Sequence, residues 1–300
     1  MMKKILSMLS NESGNTMAMV AVSITVLLGA AAMVVDVGRM YHEKSILQNA
    51  VDAAALAGAQ ELITSRSKAT TVAGSYAYKN GYPVSYCDIR TGADTIHVSQ
   101  ETKVPMTFAK VFGMKDARIS ASAKAKVGPV WPTKGITPLA IEYTAVPHQT
   151  ELKCSNPGEK NGNCGYLDIG SNGAQGLANN IINGVEIPQG TKTVQTEPGQ
   201  KWGPVKGAFQ TLIDNDAGKS HCQNASSADG TCDRMIIIPL IKSWDSVNGK
   251  STVEIVGFAS YWLDRVDEPK RIVGKFKKMI TSGEIDGSQT GNVYGVKLID

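Results

Sequence analysis

Four histidines and five cysteines are the side chains of this 300-residue sequence best suited to nucleophilic or metal chemistry. His42, His97, His148 and His221 are scattered, and none stands in a His-Glu-x-x-His or Gly-x-Ser-x-Gly setting. Only the fold could bring His148 or His221 into a site with the cysteine loops near them. Gly170-Ser171-Asn172-Gly173-Ala174-Gln175-Gly176 sits between an expected strand and an expected helix, as a phosphate loop would. Its spacing lacks both the Lys-Ser/Thr of a P-loop and the dinucleotide pattern, so a plain strand-turn-helix is the reading. Asp214-Asn215-Asp216 opens like a calcium loop but lacks the glycine and distal glutamate that complete one. No catalytic, cofactor-binding or metal residue is assigned, and the chain reads as non-enzymatic. An anchored surface hydrolase is an alternative, because a site assembled from distant residues leaves no local trace.

The cysteines are more informative. Cys154 and Cys164 enclose nine residues, and Cys222 and Cys232 also enclose nine, in polar, turn-forming segments. Two local disulfides, each stapling one loop, are expected. Four reduced thiols, or pairing between the loops, are the alternatives. Zinc fits poorly, since its ligand pairs usually stand two to four residues apart. Cys87 is left over.

These loops belong to a chain that must fold. It is 42% hydrophobic and 19% charged, with 31 Lys+Arg against 27 Asp+Glu, which excludes full disorder and collagen-like repeats and leaves room for about two domains. Cations and anions are interspersed, so nucleic acid is not an expected partner. The exception is Lys270, Arg271, Lys275, Lys277 and Lys278. A solvated face is the first reading of that run, and contact with anionic lipid or cell-wall polymer the second.

Residues 16–35 carry no charge and are almost wholly apolar. Twenty residues at 1.5 Å each span about 30 Å, one bilayer core. Lys3 and Lys4 precede the run, and Arg39 and Lys44 follow it. The α-amino group tips this near-tie toward an inside N-terminus. Ala30-Ala31-Ala32 offers a peptidase site, but the apolar run continues past it through Val35, which favours an uncleaved signal-anchor over a cleaved signal. The protein is therefore expected in the cytoplasmic membrane as a single-pass protein with its C-terminal part extracytoplasmic, where disulfides persist.

From Asp36 to Ile63 the sequence has no proline and is rich in alanine, with Met40, Leu47, Val51 and Leu62 among its larger apolar groups. A helix continuing out of the membrane is expected. Its small-residue stripe, Ala50, Ala53, Ala54, Ala57 and Gly58, lets a neighbour approach closely. The neighbour is either the protein's own sheet or a partner helix.

Gly14-Asn15, the apolar run, Val35-Asp36-Val37-Gly38-Arg39-Met40-Tyr41 and Leu47-Gln48-Asn49-Ala50-Val51-Asp52-Ala53-Ala54-Ala55-Leu56-Ala57-Gly58-Ala59 together resemble the N-terminal module of the TadG-like family of Flp pilus-assembly proteins, the tight-adherence system. The likeness covers residues 13–62. It implies a single-pass envelope protein whose partners are other pilus-assembly or pilin-like proteins, with Asp36, Gly38, Arg39, Gln48, Asn49, Ala50, Asp52, Ala53, Ala54, Ala57 and Gly58 as the motif and helix-docking residues. Larger members carry a von Willebrand A-type domain whose metal site uses Asp-x-Ser-x-Ser; this sequence has no such cluster, so metal-dependent adhesion is not carried over. Prepilin leaders are cut after a glycine and usually place Glu at the fifth mature position. Cutting after Gly14 puts Met19 there. A pilin-like structural subunit cleaved after Gly14 is the second functional reading.

Further along, 65–79 reads as helix, 95–104 and 117–127 as two strands, and 108–112 as a helical turn between them. Gly128-Pro129 through Gly135 marks a boundary. Beyond it, strands are expected at 137–143, 165–169, 235–241 and 252–263, with helices near 174–182 and 205–214. The strand at 235 should end at Pro239, and that at 252 should be central. The whole is α+β: a basic cytoplasmic segment (1–15), a transmembrane helix (16–35), an amphipathic helix plus a small helix-and-hairpin sheet layer (36–127) and a β-rich mixed C-terminal domain (128–300).

Overall fold

The computed structural model describes residues 12–82, 87–146, 148, 151–153, 165–170, 173–199 and 201–299. The first element, α1 (Glu12–Glu61), is one unbroken helix of about 75 Å. Every side chain from residue 16 to 35 is exposed except Ala32, which is half-covered. From Asp36 onward one face is buried. The change of environment therefore falls at the first charged residue after the apolar run, as the hydropathy requires.

A tight turn leads to α2 (Arg66–Lys79), which starts where Ser65 accepts the backbone N–H of Lys68 at 3.2 Å. Its buried alanines, Ala69, Ala73 and Ala77, recur every four positions and face α1 in a single cluster with Ala54, Ala55 and Ala59. Gly58 makes this approach possible. A Cβ there would lie 2.6 Å from Ile96 Cδ1, 2.9 Å from Ala73 Cβ and 3.0 Å from the Ala69 carbonyl oxygen.

The helix pair lies on a six-stranded sheet containing β1 (Cys87–Thr91), β2 (Thr95–Pro105), β3 (Asp116–Pro132), β11 (Met279–Ile280), β12 (Gly283–Ile285) and β14 (Val293–Ile299). β2 and β3 form the expected hairpin, and Ile119, Ala121, Ala123, Ala125 and Val127 alternate inward along β3. Between the two strands lies a 3-10 turn, Ala109–Phe112. β3 runs on through Gly128 to Pro132, the stretch that reads in sequence as a boundary. β14 returns to pair with β3 from Pro129 to Lys124, so a strand from the C-terminal half completes the N-terminal sheet.

The second sheet has β9 (Thr252–Asp267) at its centre, flanked by β8 (Met235–Ile241) and β10 (Arg271–Phe276), with β4 (Ile141–Glu142), β5 (Glu151–Lys153), β6 (Leu167–Asp168), β7 (Thr193–Thr196) and β13 (Thr290–Gly291) around them. The helices α3 (Gly173–Asn183) and α4 (Trp202–Asp214) cover one face through Leu177, Ile181, Phe209 and Leu212, against Tyr261 and Leu263. Phe258 and Trp262 fill the other face with Trp131 from β3. Apolar on both sides, β9 is central, as its sequence requires.

Three local expectations are corrected. β8 does not stop at Pro239 but continues to Ile241; on its outer side the contacts are the Ile136–Ile237 bridge and the β4 pairing from Leu240, which leave Pro239 in a gap needing no donor. The strand expected over 137–143 shrinks to β4, because Pro138 interrupts it and Tyr143 opens a 3-10 turn. The basic run is not a uniform solvated face: its first part forms β10, with Ile272 and Gly274 buried.

Candidate functional site

The expected motif residues lie along α1, and the structure sorts them by side. Asp36 points inward. Its carboxylate accepts the backbone N–H groups of Thr107 (2.8 Å), Phe108 (2.9 Å) and Ala109 (2.7 Å), capping the 3-10 turn at the tip of the β2–β3 hairpin. These bonds, led by that from Ala109, outweigh burial and hold the Asp36 carboxyl below the usual aspartate range; Arg39 adds a smaller pull in the same direction.

Two turns on, the Lys44 ammonium donates to the Ser120 carbonyl. The Gln48 amide then donates to the Ser122 carbonyl at 2.9 Å and to Asp52 Oδ1 at 2.8 Å. Rising along α1 from 36 to 48, the partners rise along β3 from the hairpin tip to Ser122. The helix and strand are thus held in register, with the hairpin tip at the end of α1 nearer the apolar run.

Ala50, Ala54, Ala57 and Gly58 are buried and Ala53 is half-buried. Ala54 belongs to the cluster formed with α2, β2 and β3. Of the two neighbours proposed for the small-residue stripe, the protein's own sheet and α2 occupy it. A partner helix docking on Ala54 is therefore corrected, because the close approach that small residues permit is already used within the chain. Gly38, Arg39 and Asn49 point outward and are exposed. A Cβ on Gly38 would meet nothing within 4 Å.

In the C-terminal half, Cys222 and Cys232 form the expected local disulfide. Trp262 Nε1 donates to the Cys222 carbonyl at 2.9 Å, tying the stapled loop to the central strand. His221 Nε2 lies 3.3 Å from Cys222 Sγ. The set His221, Cys222 and Cys232 has the proximity of a metal site, but both sulfurs are committed to the disulfide and neither is a thiolate ligand. The other expected pair, Cys154 and Cys164, lies outside the described residues, as do Ser171 and Asn172 of the glycine-rich loop. Gly173 of that loop opens α3.

Asp216 is fully buried. Burial pushes its carboxyl up, but the Lys219 ammonium at 2.7 Å and the backbone N–H groups of Arg234 and Asp233 outweigh this and hold it below the ordinary range. The segment therefore uses Asp216 as a structural brace rather than a calcium ligand. The basic run is also engaged internally. Arg271 reaches Glu151 at 3.5 Å, Lys277 donates to the carbonyls of Ser226 and Ala228, and Lys278 donates to the Ile63 carbonyl at 3.0 Å, joining the turn after α1 to the segment between β10 and β11.

A cleft of about 520 Å³ is lined by Trp131, Tyr143, Lys192, Lys242, Glu254 and Asp286, among others, with no histidine or cysteine. The Asp286 carboxylate in it accepts from Ser288 and Gln289.

Sequence reasoning missed the groups that receive Asp36 and Gln48: the amides of 107–109 and the carbonyls of Ser120 and Ser122. One signal was present. Phe108, Val111, Phe112 and Met114 are large apolar residues at a hairpin tip, where polar turn residues are the norm.

No curated protein and no solved structure matches the chain. Residues 14–61 match the family model described as "Putative Flp pilus-assembly TadE/G-like". That stretch is α1 from Gly14 to its last residue, so the helix gripped by the hairpin is the part of the chain that is similar to the Tad-type module.

Proposed function

We propose that this protein is a membrane-anchored, non-enzymatic assembly or envelope component of a Flp/Tad-type pilus or secretion system. The observation that carries the reading is α1 itself: the segment that matches the Tad model is a single helix, apolar and exposed over 16–35 and seated on its own sheet from Asp36 onward. A helix with that exposure is long and apolar enough to cross a bilayer. Seating the same helix on a sheet couples the anchor mechanically to the domain above it.

On this reading the domain is extracytoplasmic, which agrees with a disulfide at Cys222–Cys232. Docking to other machine proteins uses the outward side of the motif, Gly38, Arg39 and Asn49, because the inward side is filled.

The test is the intact mass and N-terminal sequence of the protein recovered from washed membranes and, separately, from sheared surface filaments. An uncut chain found only in membranes agrees with the anchored component. Asn15 as the first residue, in filaments, would replace it with a pilin-like subunit.

A further inference from the structure

Four large apolar side chains stand in solvent on the β2–β3 tip: Val111 is 84% exposed, Phe112 83%, Met114 58% and Phe108 43%. Exposed apolar groups scattered singly need no explanation, but four within seven residues of one short turn do. Among the described residues nothing covers Val111 and Phe112, although the rest of the hairpin alternates between buried and exposed.

Their position indicates what does. Asp36 is the first charged residue after the apolar run, and its carboxylate holds the amides of Thr107, Phe108 and Ala109. The tip is therefore pinned at the level where the span ends. The residues just before and after Asp36 on α1, Val35 and Val37, are apolar and exposed as well. Ala32, one turn before Asp36 on the same side and inside the span, is the one residue of 16–35 whose side chain is half-covered. Lys110 and Lys115 bracket the segment Val111–Met114 and are exposed. Exposed apolar groups interleaved with exposed ammonium groups are the chemistry of an interfacial anchor.

We propose that the 107–115 tip is a second membrane contact: Val111, Phe112 and Met114 enter the headgroup–acyl boundary beside the span, with Lys110 and Lys115 on lipid phosphates. The partner is the bilayer surface. Together with the span it gives the domain two points of attachment, so it cannot swing freely about the helix axis.

The inference rests on the anchored reading, and the experiment separates the two. A photoreactive p-benzoyl-phenylalanine is placed singly at Leu28, Phe112 or Tyr143 in the full chain, reconstituted in phosphatidylcholine/phosphatidylglycerol vesicles with labelled lipid. Position 28 reports the span, and position 143, exposed on the second sheet's side, reports background. Several-fold more lipid label at 112 than at 143, alongside label at 28, is the expected result. Label at 28 with background at 112 would overturn the tip contact and leave the anchor standing. Background at both would overturn the anchor and the tip with it. A protein adduct in place of lipid at 112 would overturn the proposal by putting a partner chain where the bilayer is claimed.

Discussion

The carboxylate of Asp36 accepts the backbone N–H of Ala109 at 2.7 Å across seventy-three residues of sequence. One side chain at the end of the apolar run thereby sets where the far tip of a hairpin sits. Replacing it by alanine leaves three amides without their acceptor, and replacing it by asparagine turns an NH2 group toward donors. Both Asp36→Ala and Asp36→Asn are expected to speed amide hydrogen exchange in the 106–115 peptide while strands β8 and β9 keep their protection. Unchanged exchange at the tip would mean that the carboxylate does not hold it.

Gly58 and Gly38 should behave oppositely, though both belong to the same motif. A side chain at Gly58 meets Ile96, Ala73 and the Ala69 carbonyl oxygen. Gly58→Leu is expected to destabilise the helix–sheet unit by about 3 kcal/mol, read as an early thermal transition in detergent. Ala54→Leu, at a site with no exposed surface, should do the same. Membrane insertion should be unaffected in both.

Gly38→Leu, by contrast, enters open space and removes a helix glycine, which favours the helix by about 1 kcal/mol. Thermal stability should hold or rise. Recovery of other pilus-assembly proteins with the chain should fall if the outward face docks them. Undiminished recovery would remove Gly38 from the docking surface.

Acid should loosen the fold through its depressed carboxyls. Asp36 and Asp216 both titrate below the ordinary 3.8. A group whose folded value is lowered contributes stability that is fully present above its unfolded value and lost as pH falls through the folded one. The melting temperature should therefore change little down to about pH 5 and fall below about pH 4. Asp216→Asn should start lower at neutral pH and lose less on acidification. A parallel fall in both proteins would assign the acid sensitivity elsewhere.

Removing the Cys222–Cys232 staple opens a short loop between α4 and β8. Cys222→Ala with Cys232→Ala is expected to lower stability by about 2–3 kcal/mol, measured by urea unfolding without reductant. Treatment of the parent protein with dithiothreitol should reproduce the loss.

Much of this architecture was legible in the sequence because it depends on local pattern. The uncharged run, the alternation along β3, the apolar β8 and the two-faced β9 each declare an element through their own residues. Ser65 marks the start of α2 in the same way. What could not be read is pairing at long range. Asp36 announces a polar partner but not that it is the amides of 107–109, and Gln48 does not name Ser122. β14 and β10 escaped for a related reason. Val293–Ile299 is short and half exposed, so only its register against β3 makes it a strand. In β10, lysine and arginine charges mask the buried Ile272 and Gly274. The alanine stripe was readable as a close-approach surface, yet alanine looks the same to a sheet of its own chain and to a partner helix.

The pairing of β14 with β3 has a bearing on biosynthesis. As the chain is made, α1 emerges first, with the alanines at 50, 54 and 57 bare. β2 and β3 follow soon after and can cover them, but the edge of β3 from Lys124 to Pro129 stays unpaired until residues 294–299 have been synthesised. Contacts at such separation form late. The chain thus carries an open strand edge until then, the interval in which a chaperone, or a neighbouring copy offering its own strand, can engage it.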